Sequence, residues 1–450
     1  MSTAAPVVDD GEHGRGAEPS YGFPAPLWRG LARLRPPGPL FRASTFTSPV
    51  RGPWLTSVFA SVLLVGLPLL LLTGLLSYAA YEPRFPGNAF PGDPGALRLP
   101  YFAWPAGPSW LYRLNQGVHV GVGLALVPVV LAKLWSVLPK LFAWPPARSF
   151  AQLLERASLL LLVGSTLFEL VTGVLNTQYW YVFRFDFYTA HYYGAWVFLA
   201  AFAVHVFLKL PTMVRALRSR SLREELRTPL SATVPEPPDR HGLVPPEPGE
   251  PTISRRGVLA LVGGGSAVIT LVSLGQTLGW RATALLSPRG QSYGDGPNDF
   301  QVNRTALAAQ VTPDLTGGDW RLVLRGGPVE LSLDRAQLLA LPQHTAELPI
   351  ACVEGWSTVQ TWTGVRLRDL AALAGVPDAA SGTVRSLERA GAFSSATLNA
   401  GQLAAGDSLL ALTVNGADLS PDHGYPARVV VPAAPGVHNT KWVREIELRT

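Results

Sequence analysis

Five stretches of this chain, near 54–79, 110–138, 153–175, 189–210 and 257–278, are apolar over nearly their whole length. Crossing the hydrocarbon of a bilayer takes about 20 residues of helix, so each is long enough. Backbone buried in hydrocarbon must satisfy its own hydrogen bonds, which predicts helices rather than open strands. Pro68 and Pro128 fall inside the first two, a position that helices in lipid tolerate. Hydrophobic residues make up 48% of the chain and charged residues only 15%, a balance on the membrane side of an average soluble protein. The net charge of +6 is spread over segments flanking the apolar stretches, which argues for membrane topology and against a nucleic-acid partner.

The basic residues orient the chain. Arg29, Arg33, Arg35, Arg42 and Arg51 precede the first stretch, and Lys140 and Arg148 lie between the second and third. Arg215, Arg218, Arg220, Arg223 and Arg227 follow the fourth, and Arg255 and Arg256 precede the fifth. The intervening loops at 81–109 and 179–188 hold only Arg84, Arg98 and Arg184. Lys and Arg favour the cytoplasmic side, so the N-terminus is expected in the cytoplasm and residues 282–450 outside, in a multi-pass cell-membrane protein. The expected organisation is a disordered tail at 1–50, a four-helix membrane domain at 51–215 and a Pro-rich cytoplasmic linker at 216–252. An anchor with its own signal follows at 253–281, then an external domain at 282–450. After residue 290 short alternating segments such as 321–324, 427–431 and 445–448 predict strands, giving an α+β, mostly β domain. Ser254-Arg255-Arg256-Gly257-Val258-Leu259, ahead of an apolar run, resembles a twin-arginine export signal, although two arginines also fix topology by themselves.

Three histidines lie in or near the apolar stretches: His119 in the second, His191 and His205 in the fourth. Ionisable groups in hydrocarbon are costly and mark function. His191 and His205 are 14 residues apart, on about the same helix face and about 21 Å apart along the axis. That spacing resembles the haem-ligand pairs of membrane cytochromes b. The resemblance implies one haem b, with His119 and His191 as axial partners and His205 as the alternative partner of His119. Lys133, 14 residues after His119, stands where a fourth histidine would be and is expected to reach toward the cytoplasmic surface. Glu169 in the third stretch serves either a proton path at a quinone site or a pairing with a polar neighbour.

Cys352 is the chain's single cysteine, so it forms neither an intrachain disulfide nor a multi-cysteine metal site. What remains is one soft thiolate, suited to a single bond to a metal held mainly by something else. Its setting, Pro349-Ile350-Ala351-Cys352-Val353-Glu354-Gly355-Trp356-Ser357, resembles the molybdopterin-binding domain of the sulfite oxidase family. Two further blocks support this: Asp422-His423-Gly424-Tyr425-Pro426-Ala427-Arg428 with Thr440-Lys441-Trp442, and Phe300-Gln301-Val302-Asn303-Arg304. The resemblance implies a molybdenum–molybdopterin cofactor with Cys352 as catalytic metal ligand. It places Asn303 and His423 on the pterin, Arg428 and Lys441 on its phosphate, and backbone groups of Asn439 and Thr440 beside it.

Two departures bear on the substrate. Arginines that surround sulfite in that family are replaced here by Ser357 and Val302. An oxyanion without paired cations binds poorly, and the Cys-Val-Glu-x-Trp-Ser form looks more like the bacterial branch that includes methionine-sulfoxide reductase. The joint expectation is a membrane molybdenum oxidoreductase. It exchanges electrons with the quinone pool through haem and moves an oxygen atom to or from a small S-oxide or N-oxide. A sulfite-type oxidase and a non-catalytic cofactor-binding module are the alternatives.

Overall fold

The computed structural model describes residues 38–41, 45–88, 102–144, 150–239, 242–278, 285 and 294–450. Most of the tail expected to be disordered lies outside the described residues. Its end does not behave as a tail: Val50 is buried in one cluster with Trp54 and Leu55.

Among the described residues five helices are long and apolar enough to cross a membrane. They are α1 (Pro53–Ala80), α2 (Leu111–Leu141), α3 (Phe150–Thr177), α4 (Phe187–Ser219) and α5 (Arg255–Leu278). The bundle packs α1 on α2, α3 on α4, α2 on α5 and α1 on α4. Small side chains allow the close approaches: a Cβ at Gly66 of α1 would sit 2.7 Å from Leu126 of α2. Outward faces carry large apolar groups, among them Val65, Phe207 and Leu261. In water that exposure is unfavourable, and in lipid it is not. α4 runs nine residues past the expected end at 210, to Ser219, because Lys209, Arg215 and Arg218 are good helix formers although they end the apolar run.

The Pro-rich segment is not a free linker. Its prolines deprive it of donors, but Glu236 is buried and its carboxylate accepts from the backbone N–H of Trp54, 3.0 Å away at the start of α1. The first N–H groups of a helix have no intrahelical partner, so this long-range cap fastens the strap to the bundle. The Trp54 indole donates to the Arg220 carbonyl, and Gly249 N–H donates to Thr47.

The C-terminal region is mostly β, as expected. One sheet has the order β2–β1–β10–β5–β6, from β1 (Leu322–Arg325), β2 (Leu331–Leu333), β5 (Ser381–Ser386), β6 (Ser395–Asn399) and β10 (Val443–Arg449). Only β1 and β10 pair in parallel within it. The second sheet has β3 (His344–Ala351), β4 (Ser357–Arg366), β7 (Leu409–Val414) and β8 (Ala417–Asp418) in order, with β9 (Arg428–Val430) also on β7. Leu322, Val384 and Ile446 of the first sheet meet Leu410, Leu412 and Val429 of the second in one core. The opposite face of the second sheet buries Ile350, Trp362 and Leu409 under Phe300.

The two halves are fastened at one end of the bundle. The segment between α1 and α2 packs on the β domain: the Trp104 indole donates to Ala433, and Asn88 both donates to and accepts from the Thr397 backbone. The arginine- and lysine-bearing termini, including Arg51, Lys140, Arg220 and Arg255, lie at the other end.

Candidate functional site

Cys352 follows β3 and sits in a tight turn. Its N–H donates to the Trp356 carbonyl and its carbonyl accepts from Gly355. Gly355 has φ +95°, and a Cβ there would lie 2.6 Å from Val120 of α2, so only glycine lets the turn press on the helix. Burial, then the neighbouring Glu354 carboxylate, push the Cys352 thiol well above its ordinary value. It is neutral until a cation reaches the sulfur, and metal coordination is what deprotonates such a thiol.

On the other side lie two buried cations. The Lys441 ammonium donates to the carbonyls of Arg304 (2.7 Å) and Asp422 (2.6 Å). The Arg428 guanidinium reaches the His423 carbonyl at 3.4 Å and lies over the Trp362 ring. Among the described residues neither forms an ion pair. Burial pulls Arg428 down to about 9 and Lys441 well below its ordinary value. Two unpaired buried cations are costly, and an anionic ligand offsets that cost. Gly424, at φ +108°, has Lys441 and Arg428 on either side, with their Cβ atoms 3.0 and 3.3 Å from where its own would stand.

Around them buried polar atoms lack a partner: Arg428 Nε, His423 Nδ1, Asn439 Nδ2, Thr440 Oγ1 and both ring nitrogens of His438. A folded protein seldom leaves so many in one place without a ligand to take them up. His423 stacks on Phe300 at 3.7 Å between centroids, and its Nε2 bonds the Asn298 carbonyl. Asn303 precedes Arg304, whose carbonyl holds Lys441. The second sheet and the loops after it thus bring Cys352, His423, Arg428, Asn439, Thr440 and Lys441 together, with Asn303 at the edge. His438 was not anticipated. It is buried beside Tyr81 at the end of α1, and no spacing in its stretch singled it out.

The helices hold a second arrangement. His119 on α2 and His191 on α4 face each other with ring centroids 6.3 Å apart. An imidazole bonded to a metal through one nitrogen places its centroid about 3 Å from that metal, so two axial rings stand about 6 Å apart. Each Nδ1 is already engaged on the far side. His119 meets the Leu70 carbonyl (3.1 Å) and Thr73 hydroxyl (3.0 Å), while His191 meets the Glu169 carboxylate (2.9 Å) and Thr172 (3.3 Å). Metal-bound histidines are oriented in this way, leaving Nε2 for the metal. Glu169 therefore has a polar neighbour, one of its two expected roles. The pair lines a largely apolar cavity of about 220 Å³ between α1, α2, α3 and α4.

His205 is elsewhere. It lines a second cavity of about 230 Å³ with Lys133, Lys140, Glu155 and Lys209. Lys133 does not reach the surface as expected: its ammonium donates to the Thr56 carbonyl within the bundle at 2.9 Å. That backbone oxygen, one turn into α1, is the nearer acceptor. Among the described residues no group of three or more His, Cys, Asp or Glu side chains gathers. A metal at either centre must bring most of its ligands with it.

The centres adjoin. Val353, next to Cys352, lines the cavity of the histidine pair. Its carbonyl accepts from the buried Gln116 amide of α2 at 2.8 Å and from Asn176 of α3 at 3.5 Å. Ser357, where an arginine was missing, donates to the Thr277 carbonyl at the end of α5 (2.8 Å). Arg255 is buried, pairs with Glu225 and donates to Val234, whereas Arg256 is exposed.

Residues 309–450 match the family described as oxidoreductase molybdopterin binding domain. An uncharacterized oxidoreductase of Bacillus subtilis (strain 168) is 34% identical over 28% of this chain and 64% of its own length. Sulfite oxidase of Gallus gallus is 30% identical over 33% of this chain and 38% of its own. Nitrate reductase [NADH] of Volvox carteri is 28% identical over 30% and 19%. The chain spans less than two thirds of the length of each of these relatives. Its C-terminal region matches a molybdopterin-binding oxidoreductase domain and is similar to sulfite oxidase and nitrate reductase, which implies a molybdenum cofactor.

Proposed function

We propose that the chain is a membrane-bound oxidoreductase with two redox centres, a molybdenum cofactor at Cys352 and a haem b between His119 and His191. The observation that carries this reading is the shared wall: the residue after the candidate metal-binding cysteine lines the cavity of the facing histidines. When bound, the molybdenum cofactor supplies oxygen-atom transfer and the haem supplies one-electron exchange. The chain's own residues do the rest. Cys352 anchors the metal, Lys441 and Arg428 neutralise the phosphate, and Asn303, His423, Asn439 and Thr440 line the pterin. His119 and His191 hold the haem, oriented by Leu70, Thr73, Glu169 and Thr172. The five helices lie in the cell membrane with the β domain outside, and a quinol feeds electrons to the bundle. Arg255-Arg256 takes part in export of the folded β domain.

The substrate is a small neutral S-oxide or N-oxide. Ser357 is committed to the Thr277 carbonyl and provides no cation to hold an oxyanion beside Cys352. The test is reoxidation of the dithionite-reduced, detergent-purified protein, followed in the haem absorbance. Methionine sulfoxide or trimethylamine N-oxide is expected to reoxidise it. Reduction of the oxidised protein by sulfite, with no response to either oxide, would favour the sulfite-type oxidase instead.

A further inference from the structure

The loop carrying Cys352 is hydrogen-bonded to α2, α3 and α5 or their ends, and packs on the end of α1. Gln116 of α2 and Asn176 of α3 meet the Val353 carbonyl, and the Trp356 indole donates to the Tyr179 hydroxyl just after α3. Ser357 donates to Thr277 of α5, and Val120 of α2 fills the space over Gly355. Ala351 packs with Ala80 at the end of α1. Such a junction is a rigid seat, because its bonds cross from the β domain to α2, to α3 and its end, and to α5.

One of these bonds differs from the rest. Gln116 lies three residues before His119, so the two side chains rise from the same face of α2, one turn apart. Its amide oxygen accepts from Ser77 at 3.4 Å and from Tyr112 at 3.5 Å, which fixes the amide with its nitrogen toward Val353. From His119 the route runs along one helical turn to Gln116, across one 2.8 Å hydrogen bond to Val353, and along one peptide unit to Cys352.

We infer that Gln116 is a positioning residue which seats the Cys352 loop against the haem cavity, making the Gln116–Val353 bond the junction for direct electron transfer between the two centres. This rests on the two-centre reading above. With both groups bound, His119 and His191 would hold the electron donor and Cys352 the acceptor, and each event would move one electron with no covalent bond changed. Two electrons from quinol, with two protons, would balance the conversion of one oxide to its deoxygenated product and water. The β domain stays docked throughout.

The test uses the full chain in detergent, with haem and molybdenum content measured first. Stopped-flow mixing of the reduced protein with an oxide substrate then reads the rate of haem reoxidation. Gln116→Leu is expected to slow that rate by about tenfold or more, because small displacements of a docked redox partner cost rate steeply. Its haem spectrum and molybdenum content should match wild type. Gln116→Asn, which keeps the amide but shortens its reach, is expected to fall between the two. Tyr179→Phe removes a docking bond that does not involve Val353 and is expected to leave the rate within about twofold of wild type. Equal rates in wild type and Gln116→Leu, with both cofactors present, would overturn the junction and leave the two-centre reading standing. A wild-type protein without haem would overturn both.

Discussion

The bundle repeats one arrangement twice, and the copies differ in a telling way. His119 and His191 face each other across one cavity, while 14 residues further along α2 and α4 Lys133 and His205 line another of similar size. In the first, both rings are anchored on their far nitrogens by Leu70, Thr73, Glu169 and Thr172. In the second, Lys133 is turned to the Thr56 carbonyl, and Glu155 is bridged to Lys140 and Lys209 at 2.9 and 2.8 Å. Equal room and equal spacing therefore do not make equal sites. A metal clamp would need two opposed rings with their outer nitrogens already committed, and the first cavity offers that arrangement.

The comparison breaks most visibly at the cofactors. Replacing His191 or His119 with Ala should abolish the low-spin haem absorbance, whereas His205→Ala should keep it. Cys352→Ser should abolish turnover in the same preparation while leaving haem in place, since a hard hydroxyl substitutes poorly for a soft thiolate. Loss of haem in His205→Ala with retention in His191→Ala would reverse the assignment of the two cavities. A smaller effect is expected at Glu169. Glu169→Gln keeps the shape but weakens the acceptor for His191, and outer partners of this kind contribute about 10- to 100-fold in affinity. Haem titration of the apoprotein would read it, and unchanged affinity would remove Glu169 from the account.

A milder effect is expected from pH in the β domain. Burial holds His438 down at about 4 and His423 at about 3, so both are neutral when folded. The unfolded chain binds protons near pH 6.5, so this stability is complete above that value and is lost as pH falls toward 4. The loss from His438 is on the order of 2 kcal/mol by pH 4.5. Thermal melts at pH 7.5 and 4.5 should show it, and His438→Gln should narrow the gap. The smallest effect on the fold is expected at Arg256. It is exposed, so Arg256→Lys should leave the fold alone while stopping the β domain from reaching the outside in a protease-protection assay. Changing the buried Arg255 would confound packing with export.

How much was legible follows from how local each signal is. The apolar runs placed all five helices, because hydropathy and helix length are local properties. The facing of His119 and His191 was legible from their places near the starts of the second and fourth stretches, which the charge pattern puts on the same side. Cys352, Arg428 and Lys441 stood out by resemblance. His438 did not, because only the fold reveals that both its ring nitrogens lack partners. The strap at 216–252 was misread, since composition records missing donors but not that Glu236 would cap α1 from 182 residues away. The strands near 322–325, 428–430 and 443–449 were legible from alternation, but the parallel pairing of β1 with β10 depends on contacts far apart in sequence.

The central claim is that two different cofactors share one wall, and the ratio of haem to molybdenum in the intact, detergent-purified chain tests it most directly. The account predicts one low-spin haem and one molybdenum per chain, with the haem lost in His191→Ala and the molybdenum retained. Molybdenum without haem, or a haem that survives in both His119→Ala and His191→Ala, would contradict it.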